Sequence, residues 1–125
     1  MNFKIQNELS ETVIGCAIEV NKQLGPGLIE LLYERALCYE FQLRGIDFSR
    51  QHSIPVIYKG HGIGNMRVDL LIEDTLILEI KASSKMLEMH EAQLISYMKL
   101  TGLNLGLIIN FHFPLLKHGI KRMVL

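Results

Sequence analysis

At 125 residues the chain is long enough to close one hydrophobic core, and a single domain over 1–125 is expected. Hydrophobic residues make up 49% and charged residues 21%, an ordinary balance for a globular protein, and no run reaches the ~18 apolar residues of a membrane span. Equal numbers of basic and acidic side chains, 13 each, give zero formal net charge, which argues against a protein that holds nucleic acid by bulk positive charge.

The segment Met1-Asn2-Phe3-Lys4 leads into a polar helical pattern with no secretory core, so the cytoplasm is the expected location. Leu9, Val13, Cys16, Ala17, Val20 and Leu24 recur at helical spacing and predict a helix over 8–24. Gly25-Pro26-Gly27 breaks it by combining a missing donor with two flexible residues. A second helix over 28–44 is expected to end at Gly45. Ile46 to Arg50 and Ser53 to Tyr58 read as short extended runs, and 59–65 as a glycine-rich turn region. Met66 to Ile72 and Leu76 to Lys81 read as a hairpin around Glu73-Asp74-Thr75.

A third helix is expected over about Met89 to Leu100, stopping near Gly102. Leu105 to Asn110 is almost wholly apolar and fits an interior strand. Phe111 to Gly119 reads as a loop, and Ile120 to Val124 as a last strand. The order α-α-β-β-β-β-α-β-β implies an α/β fold, a mixed sheet flanked by helices. Cys16 and Cys38 show no metal or redox spacing and read as core residues.

Asp69 and Glu79 fall on neighbouring predicted strands among Val68, Leu70, Leu71, Leu78 and Ile80, where an ionised carboxylate is costly unless something pairs with it. Glu79 and Lys81 share a face by alternation, and Asp69 joins them only in one register. A two-residue turn pairs Ile72 with Thr75 and puts Asp69 on the opposite face. A three-residue loop pairs Ile72 with Leu76 and sets Asp69 across from Glu79. The second register also gathers Val68, Leu70, Ile72, Leu76, Leu78 and Ile80 on one apolar face, so the hydrophobic pattern favours it. Two opposed carboxylates call for a cation or proton between them, and hard oxygen ligands suit Mg²⁺ or Mn²⁺. Spacing alone is equally met by a surface ion-pair cluster, since E-x-K is a common string.

With Gly27-x-x-Glu30-x-x-Tyr33-x-x-Ala36-Leu37 added, the chain resembles the GxxExxY family of the PD-(D/E)XK nuclease superfamily. The resemblance extends over Arg67-x-Asp69-Leu70-Leu71, Glu79-Ile80-Lys81-Ala82, Glu91-Ala92-Gln93-Leu94 with Tyr97, Thr101-Gly102, and Gly106 to Phe111. Val68 stands where the superfamily's name has proline. The resemblance implies a restriction-endonuclease-like αβββαβ core. It also implies Asp69, Glu79 and the Ile80 carbonyl as ligands of Mg²⁺ or Mn²⁺, Lys81 as the catalytic lysine, and Glu30 as a helper. Gln93 and Tyr97 are similar to the Q-x-x-x-Y element of RecB-like nucleases.

Each residue also has a purely structural reading. Glu30 sits in a first helical turn, where a carboxylate meets the macrodipole favourably. Tyr33 and Tyr97 fit packing residues with satisfied hydroxyls, and Gln93 fits a helix–sheet hydrogen bond. Lys59, His61, Arg67, Lys117, His118, Lys121 and Arg122 are candidates for phosphate contacts or for an ordinary solvated surface. Two functional expectations follow. The first is a metal-dependent nuclease hydrolysing nucleic acid, DNA favoured over RNA, by metal-activated water. The second is a noncatalytic nuclease-fold interaction module. A homodimer is expected to supply the missing substrate surface, and no membrane partner is expected.

Overall fold

The computed structural model describes residues 3–125, so the expectation for Met1 and Asn2 lies outside the described residues. The chain runs α1 (Phe3–Leu24), α2 (Glu30–Leu43), β1 (Phe48–Tyr58), β2 (His61–Ile72), β3 (Leu76–Lys81), α3 (Glu88–Thr101), β4 (Leu105–Asn110), a 3-10 turn (Leu116–Gly119) and β5 (Ile120–Val124). The strands lie in one sheet in the order β1-β2-β3-β4-β5. All neighbours are antiparallel except β3 and β4, whose parallel pairing is made by the α3 crossover. The stretch α2-β1-β2-β3-α3-β4 is the expected αβββαβ core.

Strand alternation sorts the apolar side chains into two cores. Leu70, Ile72, Leu76, Leu78 and Ile80 pack against Val13, Cys16, Ala17 and Val20 of α1 and Tyr33, Leu37 and Phe41 of α2. Ile77 and Ile108 point the other way and pack under Leu94, Tyr97 and Met98 of α3. β4 is buried at every position, as its unbroken apolar run requires between two helical layers. Gly106 is where α3 leans on the sheet: a Cβ there would meet Leu94 and Met98 at 2.9 Å. Cys16 and Cys38 are free, buried core thiols.

Several expectations are corrected. The first helix begins at Phe3 rather than residue 8, and the second spans Glu30–Leu43. The extended runs at 46–50 and 53–58 are one strand, β1, because Gln51 at φ 50° is accommodated as an irregularity within it. Only Lys59-Gly60 is a turn, and 61–65, expected as loop, is the start of β2. The glycines there do not break pairing, and a bulge near Val56/Ile57 takes up the register shift.

The β2–β3 hairpin has the register that the hydrophobic pattern favours, with Ile72 opposite Leu76 and Leu70 opposite Leu78. Its turn borrows from both alternatives. Glu73 and Asp74 have φ of 52° and 50°, and Thr75 N–H donates to Ile72 O at 3.0 Å, which closes the chain as a two-residue turn does. Thr75 is then an extra residue that restores the longer register. One detail departs from expectation: Val68 packs with the α3-side cluster, not with Leu70. Alternation therefore fails at Asp69, opposite the irregular Gln51.

Candidate metal and catalytic site

The corner between α1 and α2 sets the position of the first acidic residues. Tyr33 is fully buried, stacks on Phe111 at 4.5 Å, donates its hydroxyl to Gly25 O and accepts from Leu28 N–H. A satisfied tyrosine thus locks the Gly25-Pro26-Gly27 turn, with Gly27 at φ 105°. Helix α2 then begins at Glu30, whose carboxylate sits in the first turn. One turn on, Glu34 points at the sheet and is 5% exposed. Its two oxygens accept from Arg50 Nε at 2.6 Å and Gln51 Nε2 at 2.9 Å.

Glu30, Leu31, Glu34, Gln51, Asp69 and Ile80 line one cavity of about 220 Å³. A larger cavity of about 330 Å³ between β1 and the end of α3 carries no carboxylate pair. Gln51 bridges the two sides of the smaller one, its amide also standing 3.5 Å from Asp69 Oδ1. Holding a non-glycine residue at φ 50° inside a strand costs energy, and the residue so held is the one beside the candidate ligand.

Regular β2–β3 pairing stops at Leu70 and Leu78. Beyond it, Asp69 Oδ2 accepts the Ile80 N–H at 2.8 Å, so the aspartate side chain spans the end of the strand pair. Glu79 lies beside it, 5% exposed, and its Oε1 is buried with no hydrogen-bond partner among the described residues. Burial first, then the Asp69 charge and a hydrogen bond between the two carboxyl groups, push the Glu79 carboxyl up to about 9, while the Lys81 charge pulls the other way. The Tyr97 hydroxyl is raised for related reasons, burial first and the two carboxylates next.

Lys81 ends β3 opposite Asn110 and is half-buried. Lys81 takes no part in the ion pairs Arg44–Glu40, Arg50–Glu34 and Lys121–Glu91, and it acts on Glu79 through its charge without a direct salt bridge. The fully buried Asn110 fixes the chain just after Lys81: its amide donates to Ser83 O at 2.9 Å, and its oxygen accepts from Ser83 and His112 N–H.

Of the residues singled out from sequence, Asp69, Ile80 and Glu30 line the cavity, and Glu79 lies against Asp69. Tyr97 is buried near both carboxylates. Gln93 is exposed on α3 and is not in the cavity lining. His90 accepts the Leu87 N–H at 3.4 Å, a local cap for α3. Sequence reasoning passed over Glu34 and Gln51. The available signal for Glu34 was its place one turn after Glu30.

Among the described residues no three acidic, His or Cys side chains come close enough to ligate one ion. The pair that is present fits a small hard cation, since Mg²⁺ keeps several waters and takes one or two carboxylates. The buried, unpartnered Glu79 Oε1 beside Asp69 is the feature such an ion would satisfy. No helix among the described residues is long and apolar enough to cross a membrane.

Comparison with curated proteins and with solved structures gives no match. A family model described as the PD-(D/E)XK nuclease superfamily matches residues 7–123, nearly the whole chain. The mixed sheet, the αβββαβ core and the match over that span agree: this chain belongs to the PD-(D/E)XK nuclease superfamily.

Proposed function

We propose that the chain is a divalent-metal-dependent nuclease that hydrolyses phosphodiesters of nucleic acid, DNA in preference to RNA. The observation that carries this reading is the buried Glu79 oxygen without a partner, beside Asp69. Asp69 and Glu79 would hold Mg²⁺ or Mn²⁺, with the Ile80 carbonyl beside them. When bound, the ion supplies polarisation of a phosphoryl oxygen and acidification of water. Lys81, on the same strand face as Glu79, positions the attacking water and offsets charge that develops on the phosphoryl group. Glu30, exposed at the cavity mouth, orients water or accepts a proton there rather than serving as a third ligand. Tyr97 excludes solvent beneath the carboxylates, and Gln93 on the same helix faces substrate.

The test is cleavage of single- and double-stranded DNA and RNA with Mg²⁺ or Mn²⁺. Asp69→Ala and Lys81→Ala are each expected to lose activity by a factor on the order of 100 or more. Wild-type rates in both variants would refute the assignment. Metal-independent stability together with no cleavage of any substrate would favour a noncatalytic module that keeps the fold.

A further inference from the structure

A two-stranded ribbon leads away from the site. β2 pairs with β3 only over Leu70–Ile72, so from Val68 back to His61 its sole neighbour is β1. Ile54, Met66 and Val68 still pack toward α3. From Pro55 to Asn65 every residue except Val56 is exposed. The tip is Lys59-Gly60, with Tyr58 opposite His61 across it. A ribbon of this length projects by roughly 15 Å. It ends in Ile57, Tyr58 and Ile63, which are 58%, 60% and 61% exposed. A lone two-stranded ribbon is marginal in water, so large apolar side chains left at its tip are costly unless a partner covers them.

Charge indicates which partner. From Phe48 to Val68 the chain holds no Asp or Glu, yet it holds Arg50, Lys59 and Arg67 with His52 and His61, in a protein of zero net charge. Arg50 is committed to Glu34, whereas Lys59 and Arg67 enter none of the ion pairs. Of the other candidate phosphate contacts, Lys121 pairs with Glu91, and Arg122 bonds Asn7 and Ser10. Lys59 lies 5.5 Å from the Tyr58 ring centre, a cationic and aromatic tip. Gly62 and Gly64 leave bare backbone on one strand, and a Cβ at Gly64 would meet nothing within 4 Å.

A second copy of the chain fits this surface less well. Pro55 in the edge strand β1 has no N–H to offer and interrupts strand-to-strand addition. Ile57 lies over Gly62 while Tyr58 projects to the opposite face, so the ribbon has no single apolar side for a copy to cover.

We propose that the β1–β2 ribbon, residues 55–65, together with Arg67 at its base, is the element that grips duplex DNA, entering a groove with Arg67 on the phosphates nearest Asp69 and Lys59 on phosphates further along the duplex. The major groove of B-form DNA, about 12 Å wide, admits a two-stranded ribbon, whereas the deep, narrow major groove of A-form RNA does not. The choice of nucleic acid as partner rests on the nuclease reading, but the ribbon's role is tested without catalysis.

The experiment is fluorescence anisotropy of a labelled duplex of about 30 base pairs, in EDTA, across a salt series. Lys59→Glu combined with Arg67→Glu should weaken binding by on the order of tenfold or more and lower the slope of log affinity against log salt by about two. Lys22→Glu, the same charge change on the distant α1, should leave the affinity as in the wild type. Circular dichroism melts confirm that the variants fold. Equal affinity and slope in the wild type and the double variant would overturn the proposal. So would a wild-type dimer, seen by sedimentation, that the double variant abolishes while neither protein binds the duplex. A protein that binds DNA through the ribbon yet cleaves nothing with Mg²⁺ would sink the nuclease reading and leave the ribbon's role standing.

Discussion

Glu34 and Glu79 flank the same end of the sheet, and each is 5% exposed, yet their surroundings are opposite. Glu34 has both oxygens occupied, by Arg50 and Gln51, which offsets the cost of placing a carboxyl group in an interior. Glu79 has one oxygen without a partner, a second carboxylate beside it, and a lysine too far for a salt bridge. A fold that can satisfy one buried glutamate and leaves another unsatisfied at the same end of the sheet concentrates the cost where, in the proposed reading, an external cation would remove it. That contrast distinguishes the satisfied carboxylate from the one proposed to hold a metal more sharply than spacing or burial does.

The comparison is broken most severely at Glu34. Glu34→Ala should cost on the order of 2–3 kcal/mol in urea denaturation, because it leaves Arg50 and Gln51 without their shared acceptor. A loss no larger than that of a surface substitution would make the ion pair ornamental.

Glu79→Gln should act in the other direction on the metal-free protein, stabilising it by about 1–2 kcal/mol near pH 8. The sign follows from the raised carboxyl. As pH rises past 4.5 the unfolded chain releases this proton, while the folded chain keeps it until about 9, so this group's stabilising contribution is present below 4.5 and fades across that window. The gain from Glu79→Gln should therefore shrink toward pH 5. Melts that show the same difference at both pH values would contradict the burial account of Glu79.

Mg²⁺ or Mn²⁺ at about ten times its Kd should raise the wild-type stability by about 1.4 kcal/mol, and Asp69→Asn should remove that gain. The smallest effect is expected at Gln51. Gln51→Gly relieves the positive φ but loses the hydrogen bond to Glu34, so the net change should stay within about 1 kcal/mol. A much larger loss would mean that the amide, not the backbone, holds the cavity together.

The helices and inner strands were legible because their apolar periodicities are clean, and the register of β2 on β3 was legible because only one pairing keeps Leu70, Ile72, Leu76, Leu78 and Ile80 on a common face. The β1–β2 ribbon was not. Glycines at 60, 62 and 64 read as turn chemistry, while in the structure only Lys59-Gly60 turns and the rest pairs as strand outside the core, where no hydrophobic pattern marks it. Glu34 and Gln51 escaped for a different reason. Their roles depend on Arg50 reaching α2 and on a positive φ inside a strand, long-range and local exceptions that a single sequence does not announce. Val68 was assigned to the wrong face because alternation was carried through Asp69, where it fails.

Anomalous diffraction from crystals soaked in Mn²⁺ addresses the pairing of Asp69 with Glu79 most directly. A peak in contact with both carboxylates, absent from Asp69→Asn crystals soaked in the same way, is the expected result. A fully soaked crystal with no peak beside Glu79 Oε1, or with manganese bound only elsewhere on the surface, would contradict it.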